Sequence, residues 1–192
     1  MQPIFLIMGT PASGKSTVAK ALMQRFERGL HIPVDDLRHL VVAGLSDMAF
    51  DIPPETFRQL RLARESASVM ARMYSDEGFA VAIDDFWYGD KPDEDYNRKI
   101  SRRVTRILLL PNLKTTFERL HARNPDEGSF KQILERAIRS LQTGIEAHPK
   151  TAWLVVDSSD LSVEQTVDLI LERGNEKNPF EARGCAISGF TD

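Results

Sequence analysis

The chain has 192 residues, enough for one domain that buries a substantial apolar core without disulfide staples. Its net charge of -3 and the short, interrupted basic patch Arg98-Lys99 with Arg102-Arg103 argue against a nucleic-acid partner. The single cysteine, Cys185, excludes an intrachain disulfide and a Cys-rich zinc site. No stretch approaches the ~20 apolar residues of a bilayer span, so no membrane partner and a cytoplasmic location are expected.

The first predicted element is an apolar strand over residues 3–8. Gly9-Thr10-Pro11-Ala12-Ser13-Gly14-Lys15-Ser16 follows it directly and matches G-x-x-x-x-G-K-[ST] in full. The pattern has a physical basis. Gly9 lets the chain turn sharply off a buried strand, and Gly14 lets the backbone approach a phosphate with no Cβ in the way. The loop amides then join a helix N-terminus, where partial positive charge favours an anion. Residues Gly9 to Ser16, with Thr17, are therefore read as an ATP-binding loop, in which Lys15 reaches the β- and γ-phosphates and Ser16 a Mg²⁺ ion. A helix follows from about Lys15, with Val18, Ala19, Leu22 and Phe26 on one face, and fades by Arg28-Gly29.

A short strand at His31-Ile32-Pro33-Val34 leads into Asp35-Asp36 and a helix with Leu37, Leu40 and Val41 on one face, ending near Gly44. Pro53-Pro54-Glu55 starts a long helix with an apolar stripe of Phe57, Leu60, Ala63, Ala67, Met70 and Tyr74, closed by Gly78. Residues 79–83 are apolar throughout, as a buried parallel strand requires, and end in Asp84-Asp85. Trp87 to Arg103 is polar and irregular, with weak helical character after Pro92. The next strand covers 106–110. Asn112 caps a helix carrying Leu113, Phe117 and Leu120, and Asn124 to Gly128 reads as a loop.

A further amphipathic helix carries Phe130, Ile133, Leu134, Ala137, Ile138 and Leu141, and the last strand covers 152–156. Ser162-Val163-Glu164-Gln165 has the form of a capping box before a final helix that stops at Gly174. The alternation of strands and helices predicts an α/β fold, a P-loop NTPase three-layer α/β/α sandwich with a parallel sheet of about five strands and a small lid. Residues 1–174 form that domain, with the lid near 119–130, and residues 175–192 form a loose tail.

Ligands in such sheets gather beyond the carboxyl ends of the strands, where the glycine loop, Asp35-Asp36 and Asp84-Asp85 all fall. Asp84, after its apolar run, has the form of a carboxylate that binds Mg²⁺ or its waters opposite Ser16. Asp85 is assigned to substrate, with its side chain sent the other way by strand alternation. Asp35 is placed to orient or deprotonate an acceptor hydroxyl, and Arg38, three residues on, to hold an anionic acceptor. Arg119 and Arg123, one helical turn apart, are expected to close on the phosphates from a lid. The four histidines show no metal-ligand spacing. Phe86-Trp87-Tyr88 either flank an acceptor or close the core. The absence of an N-K-x-D signature favours ATP over GTP.

The order of these motifs, from Gly9–Ser16 through Val34-Asp35-Asp36-Leu37-Arg38 and Val81-Ala82-Ile83-Asp84-Asp85-Phe86 to Phe117-Glu118-Arg119-Leu120-His121-Ala122-Arg123, resembles that of small P-loop kinases. The chain is similar to the AAA_33-type group, which includes zeta-toxin kinases, chloramphenicol phosphotransferase and gluconate-kinase-like proteins. The resemblance runs from about residue 3 to 172. It implies that Asp35 is the acceptor-activating base, that Arg119 and Arg123 are lid arginines, and that the loop at 157–161 contributes to the adenine site. The expected function is an ATP- and Mg²⁺-dependent kinase acting on a small-molecule hydroxyl acceptor. The alternative is a nucleotide-dependent ATPase or switch that works through a protein partner.

Overall fold

A computed structural model of the chain describes residues 2–46, 53–87, 93–97, 99–100, 104–123, 128–148 and 150–177. Among these, five strands and seven helices alternate: β1 (Ile4–Gly9), α1 (Lys15–Met23), β2 (Gly29–Pro33), α2 (Val34–Arg38), α3 (Pro54–Asp76), β3 (Ala80–Phe86), α4 (Glu94–Asn97), β4 (Thr105–Leu109), α5 (Leu113–Arg123), α6 (Gly128–Ala147), β5 (Leu154–Val156) and α7 (Val163–Lys177). The strands form one parallel sheet in the order β2-β3-β1-β4-β5. This is the predicted α/β sandwich.

Strand alternation divides the core in two. Ile4, Leu6 and Met8 of β1 and Val81 and Ile83 of β3 face Ala63, Ala67 and Ala71 of α3. Phe5, Ile7, Ala80 and Ala82 face the opposite way, against Val18, Ala19 and Leu22 of α1 and Val167 and Ile170 of α7. The small side chains of Ala63, Ala67 and Ala71 let α3 lie close to the sheet. Phe57 and Tyr74, expected in that stripe, are each 40% exposed at its ends.

Several predicted boundaries shift, α1 ending at Met23 rather than near Arg28, and those of α2 and α7 have a visible cause. α2 ends at Arg38, one turn after it begins, and Leu40 is exposed rather than part of an apolar face. The imidazole Nδ1 of His39 donates to the Asp35 carbonyl at 2.7 Å, and the Arg38 guanidinium turns to the Ser46 carbonyl at 2.9 Å, so side chains close off the short helix. α7 continues through Gly174 to Lys177, because that glycine does not take the left-handed conformation that ends a helix. The loop at 124–127, Tyr88, Cys185 and the tail from 178 onward lie outside the described residues.

Candidate active site

The glycine loop leaves the carboxyl end of the central strand β1 and turns into α1. Its two fixed glycines are needed for different reasons. A Cβ on Gly9 would lie 2.4 Å from the Leu109 carbonyl oxygen and 2.8 Å from Ser13 Oγ, so this position serves the close approach of β4. Gly14 has φ +96°, a left-handed conformation that glycine adopts without strain, and Ala12 also sits at φ 60°. Left-handed residues within a turn aim successive N–H groups into a concavity that suits an anion. No side chain caps the start of α1 and no acid lies in its first turn, so the helix amides remain open to a phosphate.

Lys15 folds back onto this loop, with Nζ 2.8 Å from the Thr10 carbonyl. Burial lowers its pKa, while the charges of Asp84, Asp85 and Asp35 raise it and that of Arg123 lowers it further. Four charged groups from β3, the β2–α2 junction and α5 therefore act on one ammonium. Ser16 Oγ lies 3.3 Å from Asp84 Oδ1, and His31 Nε2 contacts the other oxygen, Oδ2. Asp84 points toward α1 with Ala80 and Ala82. The hydroxyl and the carboxylate form a hard-oxygen pair suited to Mg²⁺, which takes few protein ligands and keeps waters and phosphate oxygens. No group of three or more His, Cys, Asp or Glu suited to a metal occurs among the described residues.

Asp85 points to the α3 face, and its carboxylate is engaged there. Oδ2 accepts from Arg64 Nε at 2.7 Å and Tyr96 OH at 2.8 Å, and Oδ1 accepts from the Phe86 amide at 2.8 Å. Asp85, expected at the substrate, ties α3 and α4 to β3. Arg38, expected to hold an anionic acceptor, is buried and bonded to the Ser46 carbonyl, and its Nε lies 3.4 Å from Asp35 Oδ1. The Asp35 side chain itself is 62% exposed at the end of β2.

Arg119 was expected on a mobile lid but reaches the glycine loop directly. Its Nη1 donates to the Ser13 carbonyl at 3.0 Å and its Nη2 to the Ser158 carbonyl at 2.8 Å, which joins the loop after β1 to the segment after β5. Arg123, one turn on, is exposed. Between these parts lies a cleft of about 320 Å³ lined by Ala12 to Gly14, Thr17 and Val18, by Arg119, Ala122 and Arg123, and by Ser158, Leu161, Val163 and Thr166. Two residues of the predicted adenine loop at 157–161 thus line the same cleft as the glycine loop. The contact missed by the sequence reading is His31, whose link to Asp84 depends on the register of β2 against β3.

The family profile of chloramphenicol phosphotransferase-like protein matches residues 2–173. No curated protein matches the chain. Among solved structures, a sugar kinase from a Janibacter species is 18% identical, with 92% of this chain and 94% of that one covered at a TM-score of 0.63. The tunicamycin resistance protein of Deinococcus radiodurans is 14% identical, with coverage of 90% and 95% and a TM-score of 0.66. Shikimate kinase from Acinetobacter baumannii, in complex with shikimate, is 12% identical, with coverage of 93% and 96% and a TM-score of 0.56. These likenesses establish the fold, and the profile spanning most of the length places the chain in the chloramphenicol phosphotransferase-like family, among the P-loop kinases.

Proposed function

We propose that the protein is a small-molecule kinase that transfers the γ-phosphoryl group of ATP to an acceptor hydroxyl. The observation that carries this reading is the geometry at the carboxyl ends of the strands: Lys15 Nζ lies on the glycine loop, 2.8 Å from the Thr10 carbonyl, Ser16 Oγ lies 3.3 Å from Asp84 Oδ1 of β3, and Arg119 donates to the Ser13 carbonyl at 3.0 Å. Family membership supports phosphotransfer, and the order of the motifs supports a wider kinship with the AAA_33-type group and its zeta-toxin kinases.

In this reading the amides of residues 9–16 cradle the phosphates, and the cleft beside Arg119, Ser158 and Leu161 takes the base and sugar. Ser16 and Asp84 would hold Mg²⁺, which neutralises charge on the phosphates. Lys15 leaves the Thr10 carbonyl for the β- and γ-phosphates, and Arg119 and Arg123 stabilise the charge that develops on transfer. Asp35 accepts the proton of the acceptor hydroxyl while that oxygen bonds to the γ-phosphorus and the bridging oxygen departs with ADP. Arg38 and His39, packed against Asp35, fix its position. The domain assignment, residues 1–174 with a lid near 119–130, belongs to the same proposal, although Arg119 starts from a docked position.

The test follows γ-labelled ATP with Mg²⁺, with and without a fractionated metabolite extract. The expected result is label on an organic acceptor, lost at least about a hundredfold in Asp35→Asn, with ADP affinity kept within a few-fold. Label released only as free phosphate, equally in wild type and Asp35→Asn, would overturn the kinase reading.

A further inference from the structure

His31 lies on the edge strand β2, opposite Ala82 of β3, and its side chain is 11% exposed. In a parallel pair, register partners point to the same face, so His31, Ala82 and, two residues on, Asp84 all face α1. Ala82 carries only a methyl group, which leaves room for the imidazole to lean along the sheet to Asp84. Its Nε2 meets Asp84 Oδ2, while Ser16 Oγ lies on Oδ1. With a carboxylate as its partner, Nε2 carries the hydrogen and donates it.

A carboxylate on a solvated strand end rotates and offers either oxygen. Here one oxygen is taken by a nearly buried ring held in the sheet, and the other is left on the side of Ser16 and the glycine loop. The geometry points to His31 as a positioning residue for the metal site: it fixes the rotamer of Asp84 so that Oδ1 is presented, with Ser16, to the cation that accompanies the nucleotide. Partners of this kind, which orient a ligand without touching the metal, affect metal affinity about 10- to 100-fold. The inference rests on the proposed nucleotide site. It adds a residue outside the glycine loop and the strand-end acids, on an element that contributes no other side chain to Asp84 among the described contacts.

The experiment is calorimetric titration of ADP into wild type, His31→Ala and His31→Gln, each in Mg²⁺ and in EDTA, with thermal melting as the folding control. The readout is the gain in affinity that Mg²⁺ confers. We expect His31→Ala to reduce that gain about tenfold and to leave affinity in EDTA unchanged. His31→Gln, whose amide can donate to the same oxygen, should restore most of the gain. A ring that only supported the fold would weaken binding equally in both conditions, and that outcome overturns the inference, as does an undiminished gain in His31→Ala. If wild type binds ADP equally in Mg²⁺ and EDTA, the inference fails and nucleotide binding stands. If it binds ADP in neither, the proposed function fails and takes the inference with it.

Discussion

Asp84 and Asp85 are adjacent in sequence, yet they have different chemistry because β3 turns their side chains to opposite faces. Asp85 meets Arg64 and Tyr96 in the core, and the Arg64 guanidinium also lies 3.4 Å from Asp95 and over the Phe86 ring. Removing the carboxylate leaves a buried cation short of its main partner, which typically costs about 3–5 kcal/mol. Asp85→Ala should therefore show a clear loss in urea unfolding; a loss below about 1 kcal/mol would mean that the cluster re-pairs through Asp95. Tyr96 gives a pH signature. Burial, and then the charge of Asp85, raise its phenol well above the ordinary value of 10.0. The folded state thus disfavours phenolate, so its contribution to stability is complete below pH 10.0 and is lost as pH rises toward the folded pKa. Tyr96→Phe loses one hydrogen bond to Asp85, about 1 kcal/mol at neutral pH, and should show a shallower decline in alkali. Parallel alkaline declines in the two proteins would show that another group sets this limb.

The elements that the sequence made legible are those whose signals are local. The capping box is formed in both directions: the Gln165 amide donates to Ser162 Oγ at 3.2 Å, and the Ser162 amide donates to Gln165 Oε1 at 2.9 Å. Ser162→Ala should cost about 1 kcal/mol, measured by chemical denaturation, and an unchanged midpoint would mean that α7 is held by Val167 and Ile170 alone. Asn112 caps α5 as predicted, with Oδ1 2.8 Å from the Thr115 amide. The glycine loop is equally readable, because its signature lies within eight contiguous residues, although the close approach of the Leu109 carbonyl to Gly9 is set by strand order. Contacts set by tertiary structure were not readable. Arg64 reaches Asp85 across 21 positions, His31 reaches Asp84 across 53, and Arg119 reaches Ser158 across 39. No spacing rule joins such residues before strand order and register are known. The ends of α2 and α7 depart from the local pattern in the same way: Leu40 falls at helical spacing, yet Arg38 and His39 turn back and close α2, and Gly174 has the residue type of a stop without the left-handed backbone of one.

At the scale of the molecule, the cleft joins parts of the chain that the sheet alone holds apart. The glycine loop follows the central strand, whereas Ser158 and Leu161 follow β5, a three-residue edge strand, and Arg119 of α5 bridges the two. A nucleotide seated there adds contacts between these parts only in the folded state, so it must stabilise the fold by mass action. At about 100-fold excess over Kd the gain is about 2.7 kcal/mol. For a domain of this size that corresponds to a rise in Tm of roughly 5–10 °C, readable by thermal melting in Mg·ADP. Lys15→Ala, which removes the cation that the proposed function brings to the phosphates, should lose most of the shift. Asp35→Asn should keep it, because the proposed function places Asp35 on the acceptor and not on the nucleotide. Arg119→Leu should lower Tm even without nucleotide, since it gives up the Ser13 and Ser158 carbonyls, and should also shrink the shift. The sign of that last pair separates a docked arginine from a free lid: a lid residue would leave the unliganded Tm unchanged. A wild-type protein whose Tm ignores millimolar Mg·ADP would show that the folded chain does not bind the nucleotide, in this cleft or elsewhere.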